Sequence, residues 1–138
     1  MRGYSVAIAA LALGVESKWL DNLLSHNRVS GVTQARQGVP RRLGPGALHV
    51  IATVHRLNRE LQIPVGAALR LAHALWDYTQ TSDQLDAATV RTGELELRLD
   101  RAEVRARVAA AVAEALEMAP RTKRGRPPKR DRATTRPR

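Results

Sequence analysis

The apolar positions open with SVAIAALALGV, residues 5–15, an almost unbroken hydrophobic run. Ser5 is placed to cap a helix reaching about Leu13, and Gly14 supplies its stop. In the next stretch, SKWLDNLLSHN, Trp19, Leu20, Leu23 and Leu24 recur at helical spacing while Lys18, Asp21, Asn22 and Ser25 look outward. Two short helices joined by a glycine-containing turn predict a helix-turn-helix. The alternative for the opening run is a secretory signal, but its apolar stretch is short and a single arginine precedes it. Cleavage nearby would also remove the helix that supports SKWLDNLL. The run is therefore expected to be a first helix packed on nearly every side, with Ile8 and Leu11 intolerant of charge.

Between Arg28 and Leu43 the segment VSGVTQARQGVPRRL carries Gly31, Gly38 and alternating side chains, which fit a small hairpin better than a helix. Gly44-Pro45 then reads as a cap with proline at the first helical position, opening a helix with Leu48, Ile51, Val54, Leu57 and Leu61 on its apolar face. Pro64 opens another, in which Val65, Ala68, Leu69, Ala72, Leu75 and Trp76 share one face. These two are expected to form a helical hairpin over the first pair. Residues 79–93 are polar and turn-like, and ELELRL then alternates strictly, with Leu95, Leu97 and Leu99 on one side. ATVR, ahead of Thr92-Gly93, is its candidate hairpin partner. Asp100 followed by Glu103 resembles a capping box and starts a helix to about Met118. Its narrow stripe, Val104, Val108, Ala111, Val112 and Ala115, suits close helix association and is assigned to self-association.

Composition narrows the possible chemistry. Without cysteine, disulfides, thiolate metal sites and cysteine nucleophiles are excluded. Phenylalanine is absent too, so the core relies on Leu, Val, Ile and Ala, which favours closely packed helices. His26, His49, His55 and His73 lack metal-ligand spacing, no glycine-rich phosphate loop is present, and no pair of acids is set for catalysis. The expectation is a non-enzymatic protein with no cofactor and no metal. No window approaches the roughly 20 apolar residues of a membrane span, and no membrane partner is expected.

Charge adds direction. The formal net charge is +10, but its distribution is uneven. Met1–Arg59 holds eight basic and two acidic residues, Glu60–Ala119 six basic and ten acidic, and Pro120–Arg138 nine basic and one acidic. Two basic blocks around an acidic middle suit a chain that grips a polyanion with both ends. The acidic middle is either a solvated surface or a region kept off the polyanion for protein contacts.

YSVAIAALALGVESKWLDNLL, the arginine-bearing hairpin ending in RRL, and GPGALHVIATVHRLNREL together resemble the winged helix-turn-helix of the MerR superfamily, which includes BldC-like and excisionase-like relatives. The resemblance covers roughly Tyr4 to Leu75. It implies that the second helix enters the DNA major groove and that the hairpin is a wing over the adjacent backbone. Ser17, Lys18 and Asn22 would then face the groove, Asn reading adenine and Lys reaching guanine or phosphate. Trp19 joins this set, packing either beneath the helix or against sugar. Arg28, Arg36, Gln37, Arg41 and Arg42 would hold phosphates, with minor-groove entry the alternative for Arg36. Glu16 replaces the family's usual small hydroxyl cap, and Lys18 with Asn22 or Leu23 replaces its arginine and tyrosine, so base preference does not carry over. Nor does metal sensing, which depends on cysteines.

The tail segment TKRGRPPKR is similar to an AT-hook. Its logic is an extended Gly125 backbone low in the minor groove, flanked by Lys123, Arg124, Arg126, Pro127, Lys129 and Arg130, against a floor most negative at A·T tracts.

The sequence thus predicts a mainly α (α+β) chain. A winged helix-turn-helix domain spans 1–78, a strand-plus-helix dimerisation segment 79–119, and a disordered basic tail 120–138. The expected partners are double-stranded DNA and a second copy of the chain. The setting is cytoplasmic, at a bacterial nucleoid, and the role that of a bacterial or phage transcription regulator. Two alternatives remain open: an architectural protein coating A·T-rich DNA, and a protein-interaction adaptor such as a phage or plasmid assembly component.

Overall fold

The computed structural model describes residues 3–77 and 86–119. Its elements in order are α1 (Val6–Leu13), α2 (Ser17–His26), β1 (Val32–Thr33), β2 (Arg42–Leu43), α3 (Pro45–Leu61), α4 (Val65–Leu75), β3 (Ala87–Thr92), β4 (Leu95–Asp100) and α5 (Arg101–Met118). The described chain is mainly helical, with two small antiparallel two-stranded sheets. The candidate hook residues Lys123, Arg124, Gly125, Arg126, Pro127, Lys129 and Arg130 lie outside the described residues.

Local chemistry sets the boundaries. The Ser5 hydroxyl accepts from the Ile8 amide at 3.2 Å, and Gly14 closes α1 in the left-handed region at φ 66°. Gly44 and Pro45 open α3 as the sequence suggests, and Gln62 ends it at φ 55°. Asp100 Oδ1 accepts from the Glu103 amide at 3.1 Å, which starts α5. The β1–β2 hairpin is minimal, pairing Val32 with Leu43 and Thr33 with Arg42. Tyr4 is bridged to Leu43 on the other side of β2, with N–H···O bonds of 2.7 and 2.8 Å, so the hairpin is tied to the entrance of α1. Gly31 sits at φ 88°, and a Cβ there would stand 2.9 Å from the Ala47 amide nitrogen, so the hairpin reaches the start of α3 only through glycine.

One core runs through all described elements. Leu20, Leu23 and Leu24 of α2 and Leu48, Ile51 and Val54 of α3 belong to one buried cluster, which continues to Leu69, Leu75, Ala88, Val104, Val108 and Val112. The expected boundary near residue 78 is therefore not a boundary in packing. α5 lies against α1 and, to a lesser extent, α3. This overturns the self-association role given to Val104, Val108, Ala111, Val112 and Ala115. All but the half-buried Ala111 are buried within the chain itself, where the small side chains of Ala9 and Ala10 let α1 approach closely. α2, α3, α5 and β2 all approach α1, but only Ala9 and Ala10 are buried, while Ala7 and Leu11 stay exposed, so the helix is not packed on nearly every side as its apolar sequence suggests.

Two further expectations change. Leu61, assigned to the core face of α3, is 59% exposed, because α3 ends there and the chain turns away at Gln62. Leu11 of α1 is 47% exposed, on the side that no neighbouring helix covers. Among the described residues no helix is long and apolar enough to cross a membrane.

Candidate nucleic-acid interface

Burial divides α2 cleanly. Leu20, Leu23 and Leu24 face the core, and Ser17, Lys18, Asp21, Asn22 and Ser25 are exposed. On a helix, Lys18, Asn22 and Ser25 fall together at the centre of the outward face, four and three residues apart, with Asp21 to one side. The last turn is braced by its own side chains. Ser25 Oγ donates to the Asp21 carbonyl at 2.8 Å, the His26 Nδ1–H to that of Asn22 at 2.9 Å, and the Asn27 amide to that of Leu23 at 3.1 Å. These bonds satisfy carbonyls near the end of the helix and hold its outward face in place. Glu16, at the N-cap, makes no side-chain cap bond.

Trp19 does not belong to this face. Its half-buried ring meets His55 of α3 edge-on, with centroids 5.5 Å apart and planes at 74°, so it packs between α2 and α3 rather than towards a groove. Of the two roles open to it, the structure takes the packing one.

The hairpin brings its basic residues to different places. Arg36 and Gln37 form the tip, where the Val39 amide donates to the Arg36 carbonyl at 3.1 Å and Gly38 supplies a φ of 89°. The Gln34 side chain closes the base of that turn by donating to the Val39 carbonyl at 2.9 Å. Arg42 is exposed on β2, and Arg28 is exposed just beyond α2.

Arg41 departs from its expected role. Its guanidinium is 2.9 Å from Asp21 Oδ1 and 3.4 Å from Ser25 Oγ, so it is committed to α2 rather than left to hold phosphate. Asp21 is largely exposed, and such a pair contributes only about 0–1 kcal/mol. Its effect is on shape and charge. It straps the hairpin to α2 and offsets the one carboxylate on the outward face. Asp21 and Ser25 were not in the expected site, and no spacing rule reveals them, because Arg41 lies 20 residues from Asp21.

Behind the interface, α3 and α4 are joined by a polar cluster. Trp76 Nε1 donates to the Thr53 hydroxyl at 2.8 Å, that hydroxyl donates to the His49 carbonyl at 2.9 Å, and the His49 ring stacks on Trp76 at 4.8 Å. Burial, and secondarily the charge of Arg105, hold the His49 imidazole below its ordinary pKa. Burial and then Arg59 do the same for His55. Both favour the neutral ring in the fold, so the unfolded chain takes up protons first as pH drops below about 6.5. Stability is expected to be full above that value and to decline on acidification. Thermal melts at pH 7.5 and 5.5 check this, and an equal or higher midpoint at 5.5 would contradict it.

Among the described residues no group of three His, Asp or Glu side chains is placed to hold a metal ion. No known protein family, curated protein or solved structure matches this chain.

Proposed function

We propose that the chain binds double-stranded DNA non-enzymatically through a winged helix-turn-helix, with α2 in the major groove and the β1–β2 hairpin on the neighbouring backbone. The observation that carries this reading is the Arg41–Asp21 strap. It joins a helix with an outward Lys18–Asn22 pair to an arginine-bearing hairpin, as two-point recognition of a duplex requires. In this reading Ser17, Lys18 and Asn22 face the groove, Asn22 reading adenine and Lys18 reaching guanine or phosphate, and Arg28, Arg36, Gln37 and Arg42 hold the backbone. Arg41 positions the hairpin, and Trp19 supports α2 from beneath. The tail from Pro120 onward adds A·T-selective minor-groove contacts, and tethering raises apparent affinity through effective concentration.

Footprinting on genomic fragments tests the division of labour. Lys18→Ala with Asn22→Ala is expected to erase discrimination between sites while residual nonspecific binding persists, since one base contact is worth about 1–3 kcal/mol. Arg36→Ala with Arg42→Ala is expected to weaken all sites alike. Long cooperative coverage of A·T-rich stretches, unchanged by the α2 substitutions, would favour an architectural role over site-specific regulation.

A further inference from the structure

β3 and β4 form a two-stranded hairpin with Thr92 opposite Leu95 across the two-residue turn Gly93-Glu94. In such a hairpin the pair beside the turn exchanges both hydrogen bonds, and bonded and non-bonded pairs then alternate. The 2.8 Å bond from the Arg101 amide to the Asp86 carbonyl continues that alternation at the far end. It follows that Leu95, Leu97 and Leu99 direct their backbone groups to β3, whereas Glu96 and Arg98 direct theirs outward. Among the described residues, no backbone bond from outside the hairpin meets those outward groups. β3 lies close to α4 and α5, whereas β3 is the one close neighbour of β4 among the described elements, so the more open edge is that of β4. This edge carries no proline and no bulge, and its alternating ladder stays fit to pair.

We propose that the outer edge of β4 is the self-association surface of this protein, and that it pairs antiparallel with β4 of a second copy about a two-fold axis at Leu97. The segment Leu95-Glu96-Leu97-Arg98-Leu99 is self-complementary in that register. Glu96 faces Arg98 of the second copy, Arg98 faces its Glu96, and both are hydrogen-bonded pairs, as their outward backbone groups require. Shifting the axis to Glu96 sets two glutamates against each other, and shifting it to Arg98 sets two arginines together. Charge therefore selects one register of the three. On the opposite face Leu95, 76% exposed in the single chain, is covered by Leu99 of the second copy, and the two Leu97 side chains meet at the axis. A groove of about 280 Å³ runs along this face between β4, α3 and α5, with Leu57, Leu61, Leu97, Leu99 and Val104 in its walls. Charged side chains, Arg56, Glu60, Glu103 and Arg107, also line it, so the seat it offers the partner's leucines is apolar only beside Leu57, Leu61, Leu97 and Leu99. The result is one four-stranded sheet in place of two marginal hairpins. This proposal does not depend on DNA binding.

The test is a charge-swap set in the full chain, followed by sedimentation with circular dichroism to verify folding. Glu96→Arg sets two arginines opposite each other at both symmetric positions, and Arg98→Glu sets two glutamates there. Each is expected to weaken dimerisation about tenfold or more relative to wild type. Mixing the two variants pairs every arginine with a glutamate and restores a dimer, as does the double variant alone. A wild type that stays monomeric at 100 µM (~10⁻⁴ M, a weak association of about 5–6 kcal/mol) would overturn the proposal. So would single variants that dimerise like wild type, or folded single variants that remain monomeric when mixed.

Discussion

Replacing Ala10 with aspartate is expected to abolish cooperative unfolding, while aspartate at the adjacent Leu11 leaves the fold in place. Ala10 is 2% exposed and lies in the α1 surface enclosed by α5, α2 and α3, whereas Leu11 is 47% exposed. A carboxylate at residue 10 would be cut off from water, and burying an unpaired charge costs several kcal/mol. That is comparable with the whole stability of a domain this size, about 5–15 kcal/mol. At Leu11 the carboxylate reaches water, and the loss is limited to apolar contact, about 1 kcal/mol. Urea titrations followed by circular dichroism separate the two. A folded Ala10→Asp variant would mean that α1 is not enclosed, and equal losses at both positions would restore the picture of a helix buried all round.

Arg101→Ala is the second substitution with a large expected effect, a loss of about 3–5 kcal/mol. Arg101 is 0% exposed although it opens a helix, where a charged residue ordinarily meets water. Its Nε donates to the Leu75 carbonyl at 2.7 Å, and Nη2 reaches that of Asp77 at 3.5 Å. Leu75 ends α4, so the guanidinium satisfies terminal carbonyls and lies at the negative end of that helix dipole. It thereby fastens the hairpin-plus-α5 segment to the α3–α4 pair. Arg101→Met keeps much of the stem volume but leaves the carbonyls without that donor, so it should lose less than alanine, about 2–3 kcal/mol. Equal denaturation midpoints for wild type and Arg101→Ala would show that this tie contributes nothing.

Elements were legible where the chain carries its own start and stop chemistry. Ser5 with Gly14 and Asp100 with Glu103 define α1 and α5 through local bonds, and Pro45 opens α3 through its fixed φ, none of which needs knowledge of the rest of the fold. The outward face of α2 was legible for the same reason, because three leucines at helical spacing fix which side is left. Partners were not legible. Periodicity says that Val104, Val108 and Val112 are buried, but not against what, and the small residues of α1 that receive them look equally suited to a second chain. Arg101 reads as an ordinary surface arginine at a helix start, because its acceptors come from α4, some 25 residues earlier. The Arg41–Asp21 strap escaped for the same reason, since only the fold brings the hairpin beside α2.

If α2 and the hairpin grip a duplex, the salt dependence of DNA binding must show it. A mixed-sequence duplex should be retarded by micromolar protein at physiological salt, and the affinity should fall linearly with salt on logarithmic axes, with a slope of about −0.9 per phosphate contact. Removing Arg36 and Arg42 together should make that slope shallower by about 1.8. No retardation at micromolar protein, or a slope unchanged by those substitutions in a folded variant, would mean that α2 and the hairpin do not hold the duplex.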